Sequence, residues 1–83
     1  MDTSDRIRNI LRDALQLGAR ADSLIDRTGL LGSMPEFDSM SVVTVVGMIE
    51  EEFGITVDDD ELSAEVFATL GSLTAFVAGK LPR

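Results

Sequence analysis

The chain has 83 residues, enough for one domain over 1–83 whose core is only marginally stable without staples, and 45% of it is hydrophobic. It has neither cysteine nor histidine, which removes disulfides, thiolate metal ligands and the commonest general base, so no catalytic side chain and no metal site are expected. A net charge of −8 without a basic stripe excludes nucleic acid as a partner.

The spacing of Ile7, Ile10, Leu11, Ala14 and Leu17 predicts an amphipathic helix over 3–17, capped by Thr3 or Ser4 and ended by Gly18. The polar, acidic start Met1-Asp2-Thr3-Ser4-Asp5 is unlike a targeting segment, and no stretch is long and apolar enough to enter a membrane, so a cytoplasmic protein is expected. Residues 18–38 form a long connection. Its Leu24, Ile25, Leu30, Leu31 and Phe37 are too apolar to float free, so it is expected to pack on the bundle with a short turn near Ala21 to Asp26.

A second helix is predicted from Ser39 to about Phe53. Asp38 has the short, oxygen-bearing side chain that caps a helix, which leaves Ser39 in the first turn with its hydroxyl outward. Unpaired backbone donors and the positive end of the helix dipole favour an anion there. Val42, Val45, Val46, Ile49 and Phe53 suit the core, whereas Met40, Val43 and Gly47 lie on the opposite side with Glu50 and Glu51. An exposed apolar strip with an acidic tail is expected, because so short a bundle cannot enclose every face of one helix. Asp58 to Glu61 leads into a short helix around 60–65. Val66, Phe67 and Leu70 are expected to pack behind that short helix, and a last helix is predicted from Gly71 or Ser72, with Leu73, Phe76, Val77 and Leu81 inward and Pro82 as its stop. The candidate strands are too few for a sheet, so the expected fold is all-α: a small four-helix bundle, three long helices and one short, with a long first loop.

Charge is distributed unevenly. Five aspartates and five arginines cancel over 1–35, and between Arg27 and Lys80 there is no basic residue at all. Ser39 and the helix behind it therefore sit in a field of one sign, suited to basic partners. Ser4, Ser23, Ser33, Ser63 and Ser72 are expected to be caps or loop residues and Ser41 a helix-surface residue. Asp58-Asp59-Asp60-Glu61 lacks the spacing and glycine of a calcium loop.

Around Asp38-Ser39-Met40 the chain resembles the acyl carrier proteins, small helical proteins whose Asp-Ser-Leu motif bears 4′-phosphopantetheine on the serine. The resemblance extends from about residue 24 to 81, through Val42 to Ile49, Glu50-Glu51-Glu52-Phe53-Gly54, the Ile55-Thr56-Val57 link and the final apolar helix. Met40 stands where leucine is commoner. Thr44 stands where fatty-acid-synthesis members have an acid, which with Gly47 and Met48 points to a specialised pathway.

The resemblance implies that a phosphopantetheinyl transferase moves the arm from coenzyme A to Ser39, with Asp38 capping the helix. It further implies that Met40 and Val43 enter apolar hollows on partners, while Glu50, Glu51 and Asp59 meet basic residues of acyl ligases and acyltransferase-type enzymes. The expected protein is a monomeric carrier and no enzyme. The wording Glu36-Phe37-Asp38-Ser39-Met40 is also similar to carriers associated with exosortase and exopolysaccharide clusters. Two alternatives stay open: an aminoacyl carrier of the D-alanyl type, and an unmodified acidic helical interaction module.

Overall fold

The computed structural model describes residues 3–81. In chain order it contains α1 (Thr3–Leu15), a 3-10 turn at Gly18–Ser23, α2 (Ser39–Phe53), a second 3-10 turn at Asp59–Glu61 and α3 (Leu70–Lys80). The all-α bundle is present, and among the described residues there is no strand, only an isolated bridge between Gly29 and Thr69. The initial Met1-Asp2 and the expected stop at Pro82 lie outside the described residues.

α1 is the central element, packing against both α2 and α3. Its apolar stripe explains this: Ile7, Ile10 and Leu11 are buried, and Leu15, unassigned in the sequence pattern, is buried with them. The helix ends at Leu15, two residues earlier than expected. Gln16 takes a left-handed φ of 55°, returning the Leu17 N–H to the Arg12 carbonyl at 3.0 Å and placing Leu17 in the core. Across the other end, the Arg6 guanidinium donates to Glu52 Oε2 at 3.0 Å and to the Glu52 carbonyl at 2.9 Å, and lies 4.2 Å from the Phe53 ring centre. These contacts tie the start of α1 to the end of α2.

The long connection is strapped down, as its apolar content predicts. Leu24, Leu30 and Phe37 are buried, but Ile25 is 49% exposed and does not join the core. Four backbone bonds hold the strap to residues 67–71: Leu30 to Ala68 O and Leu31 to Phe67 O at 2.9 Å, Leu70 to Thr28 O at 3.1 Å, and Gly71 to Asp26 O at 2.7 Å. The approach at Gly71 is so close that a Cβ there would meet the Asp26 carbonyl oxygen at 2.8 Å. Only glycine fits that position without moving the backbone.

α3 starts one residue before the expected range, because Thr69 caps it. Ser72 N–H donates to Thr69 Oγ1 and Thr69 N–H donates to Ser72 Oγ, both at 3.0 Å, a reciprocal pair that satisfies two otherwise orphaned donors. Phe67, Leu70, Leu73 and Val77 are buried as expected, with Val66, Phe76 and Leu81 packed at the margin. The helix expected around 60–65 is replaced by the Asp59–Glu61 turn, ended by Leu62 in an extended conformation. That turn is fastened to α3 by Lys80 Nζ, which donates to both oxygens of Glu61 at 2.8 Å. The Lys80 bond holds the Glu61 carboxyl below the usual carboxylate range.

Candidate functional site

α2 spans Ser39–Phe53 as the sequence predicts. Asp38 sits ahead of it in an extended conformation (φ −108°, ψ −174°), and its Oδ1 accepts the Ser41 N–H at 2.9 Å. That bond fills one of the unpaired donors of the first turn, and it holds the Asp38 carboxyl below its ordinary pKa. The cap is therefore an anion at neutral pH. The other end is closed by Gly54 in the left-handed region, φ 66°, whose N–H donates to the Glu50 carbonyl.

The approach to Ser39 is held at three points, two of which the sequence did not reveal. Phe37 is 2% exposed, its ring 6.0 Å from that of Phe67. Ser41, expected to be a plain surface residue, donates its hydroxyl to the Glu36 carbonyl at 2.8 Å. The Glu36 carboxylate pairs with Arg20 of the first 3-10 turn, and that pairing lowers the Glu36 pKa. Arg20 and Glu36 lie sixteen residues apart across an irregular loop, so no periodic signal connects them.

Ser39 follows as the first residue of α2. It is exposed, and its hydroxyl has no hydrogen-bond partner among the described residues. Because Asp38 and not Ser39 supplies the cap, the Ser39 oxygen is not needed by the fold. No cluster of acidic residues suitable for a metal occurs among the described residues. A groove of about 390 Å³ between α1 and α2 is lined by Ile10 and Met48 and does not include Ser39. The site is thus a helix start that presents an exposed serine.

The face beside Ser39 matches the predicted strip in part. Met40 and Val43 are 77% and 69% exposed, and Thr44, Gly47 and Glu51 are exposed with them. Glu50 is half-buried and its Oε2 accepts the Val57 N–H at 2.8 Å, so its carboxylate also anchors the link after α2. Asp59 is exposed in the second 3-10 turn, on the segment that this bond draws back toward α2. Val45 and Ile49 are fully in the core, while Val42, Val46 and Phe53 are half-buried against it.

A helical bundle that presents an exposed, unbonded hydroxyl at the start of a capped helix has the form of a carrier protein. Comparison with known proteins agrees. A family profile described as "Phosphopantetheine attachment site" matches residues 5–77. The solution NMR structure of a holo acyl carrier protein from Nitrosomonas europaea is 51% identical, with 95% of each chain covered and a TM-score of 0.87.

The chain belongs to the phosphopantetheine-attachment family, with the acyl carrier protein fold. It is a carrier and not an enzyme, and its prosthetic group is covalent 4′-phosphopantetheine. Proteins of this kind interact with phosphopantetheinyl transferases and acyl-handling enzymes. Among the described residues no helix is long and apolar enough to cross a membrane.

Proposed function

We propose that Ser39 Oγ bears the 4′-phosphopantetheine arm and that the protein carries an acyl group between enzymes of a specialised pathway. The observation that supports this most strongly is the Ser39 hydroxyl itself, exposed and unbonded at the first position of α2, directly after an occupied cap. A phosphodiester fits there, since the residues around it are open and the helix start favours an anion. When attached, the arm supplies the terminal thiol that this cysteine-free chain lacks and takes acyl cargo as a thioester.

The chain's own residues hold and present that serine. Asp38 caps α2, while Phe37, Glu36 and Ser41 fix the approach so that a transferase meets a preformed turn. Met40 and Val43 seat in apolar hollows of partner enzymes. Glu51, with Glu50 and Asp59 at the edge, faces lysines or arginines of acyl ligases and acyltransferase-type enzymes. Each exposed ion pair contributes little, so partners bind briefly and release, as a shuttle requires. Thr44 and Gly47 leave the middle of the strip uncharged, which supports a partner set other than that of bulk fatty-acid synthesis. A monomer working in the cytoplasm fits this traffic.

The test is arm transfer in vitro. Incubation with coenzyme A, Mg²⁺ and a broad-specificity phosphopantetheinyl transferase adds one phosphopantetheine by intact mass, and Ser39→Ala abolishes the gain. Arm addition to Ser39→Ala, or none to the unaltered chain, refutes the assignment. Charging of the holo protein by fatty-acyl but not amino-acid ligases separates the acyl from the D-alanyl type.

A further inference from the structure

The first turn of α2 places a thioether next to the candidate attachment serine. Met40 is 77% exposed, whereas Met34 and Met48 are half-buried and packed against the core. The chain has no cysteine, so its methionines are the only sulfur it encodes. Thioether oxidation follows access, and it turns a flexible apolar side chain into a polar one that sulfoxide reductases can restore. Leucine would supply similar volume and apolar character at this position without redox chemistry. Methionine gives the knob beside Ser39 two chemical states.

We propose that Met40 is a reversible oxidation site: hydroperoxides convert its sulfur to the sulfoxide before those of Met34 and Met48, and the sulfoxide uncouples the Ser39 face from partner enzymes. The proposal rests on the Ser39 attachment reading. With hydrogen peroxide, a sulfur lone pair attacks one peroxide oxygen, the O–O bond breaks, and the departing oxygen leaves as water after proton transfer. Sulfur is oxidised by two electrons and the peroxide is reduced. In the return step a reductase and two thiols remove the oxygen as water and leave a disulfide.

The consequence is a docking defect with the fold retained. Met40 projects outside the core, so the new oxygen disturbs no internal packing. In a complex, however, the sulfoxide must leave water and enter an apolar hollow that offers it no donor. Val43, at 69% exposure, then remains the only unaltered large apolar side chain on that strip.

The experiment treats the full apo chain with hydrogen peroxide, quenches with catalase, and follows oxidation by peptide mass and arm transfer by kcat/KM. Expected is oxygen uptake at Met40 about fivefold or more faster than at Met34 or Met48, with helical circular dichroism unchanged. Expected with it is a roughly tenfold fall in kcat/KM, reversed by methionine sulfoxide reductases A and B with dithiothreitol. The double variant Met34→Leu/Met48→Leu keeps this sensitivity. Met40→Leu, measured against its own untreated rate, loses it although Met1 is still present.

Oxidation at Met40 no faster than at the packed methionines overturns the proposal. So does normal arm transfer to the Met40-oxidised chain, or sensitivity that persists in Met40→Leu. A chain that takes no arm before peroxide is added refutes the attachment reading, and this proposal falls with it. Normal transfer indifferent to peroxide refutes the proposal alone.

Discussion

Replacing Phe37 by alanine is expected to unlock the approach to Ser39 at a cost that can be worked from its burial. The ring is 2% exposed and meets Phe67 at 6.0 Å with the planes tilted by 46°, so deletion removes both transfer free energy and a ring partner. Buried Phe→Ala changes cost about 3–5 kcal/mol, out of about 5–15 kcal/mol for a typical domain. In a domain of this length each kcal/mol lowers the melting temperature by about 4–8 °C. A fall of at least about 12 °C in thermal circular dichroism follows, with a matching shift in the urea midpoint. The milder Phe37→Leu and Phe67→Leu changes, combined in a double-mutant cycle, should show a coupling of about 0.5–1.5 kcal/mol. A loss below about 1 kcal/mol for Phe37→Ala, or no coupling with Phe67, would refute the claim that this ring pair anchors the segment ahead of α2.

Two glycines should respond with opposite sign. Gly71→Ala drives a Cβ into the Asp26 carbonyl oxygen and should cost about 1–3 kcal/mol in urea unfolding, while Gly47→Ala enters open space on α2 and should gain about 0.5–1 kcal/mol. Acid should destabilise the fold through Asp38, Glu36 and Glu61. Each has a folded pKa lowered by its hydrogen bonds, so its contribution is complete above the unfolded value of about 4 and is lost as pH falls through the lower folded value. Urea midpoints should therefore decline below about pH 4, and Asp38→Asn should flatten part of that decline. Finally, Glu51→Lys should lower kcat/KM for arm transfer a few-fold at low ionic strength and less at high salt, since the carboxylate is exposed. A salt-independent effect would remove electrostatic steering from the account.

What the sequence made legible was local. α2 starts as read because its Asp38 cap is a short-range signal, its left-handed Gly54 stop emerges only in the structure, and the exposure of Met40 and Val43 follows from helical spacing. The long connection was legible only as apolar. Its strap to residues 67–71 consists of backbone bonds between segments about forty residues apart, which leave no trace in side-chain pattern. For the same reason Ile25 read as core although it is half exposed. The Ser41 and Arg20 ties to Glu36 were hidden as well, because a serine in a helix and an ion pair across a loop have no periodicity. At Leu17 the helical spacing identified a core residue correctly, but the chain delivers it through a turn at Gln16 and not along α1.

The central claim is tested most directly on protein isolated from its native host with its modification intact. Fragmentation mass spectrometry should find one phosphopantetheine, with or without acyl cargo, and its phosphodiester on Ser39. The same mass on any other serine, or an unmodified chain from cells in which the transferase is active, would contradict the account.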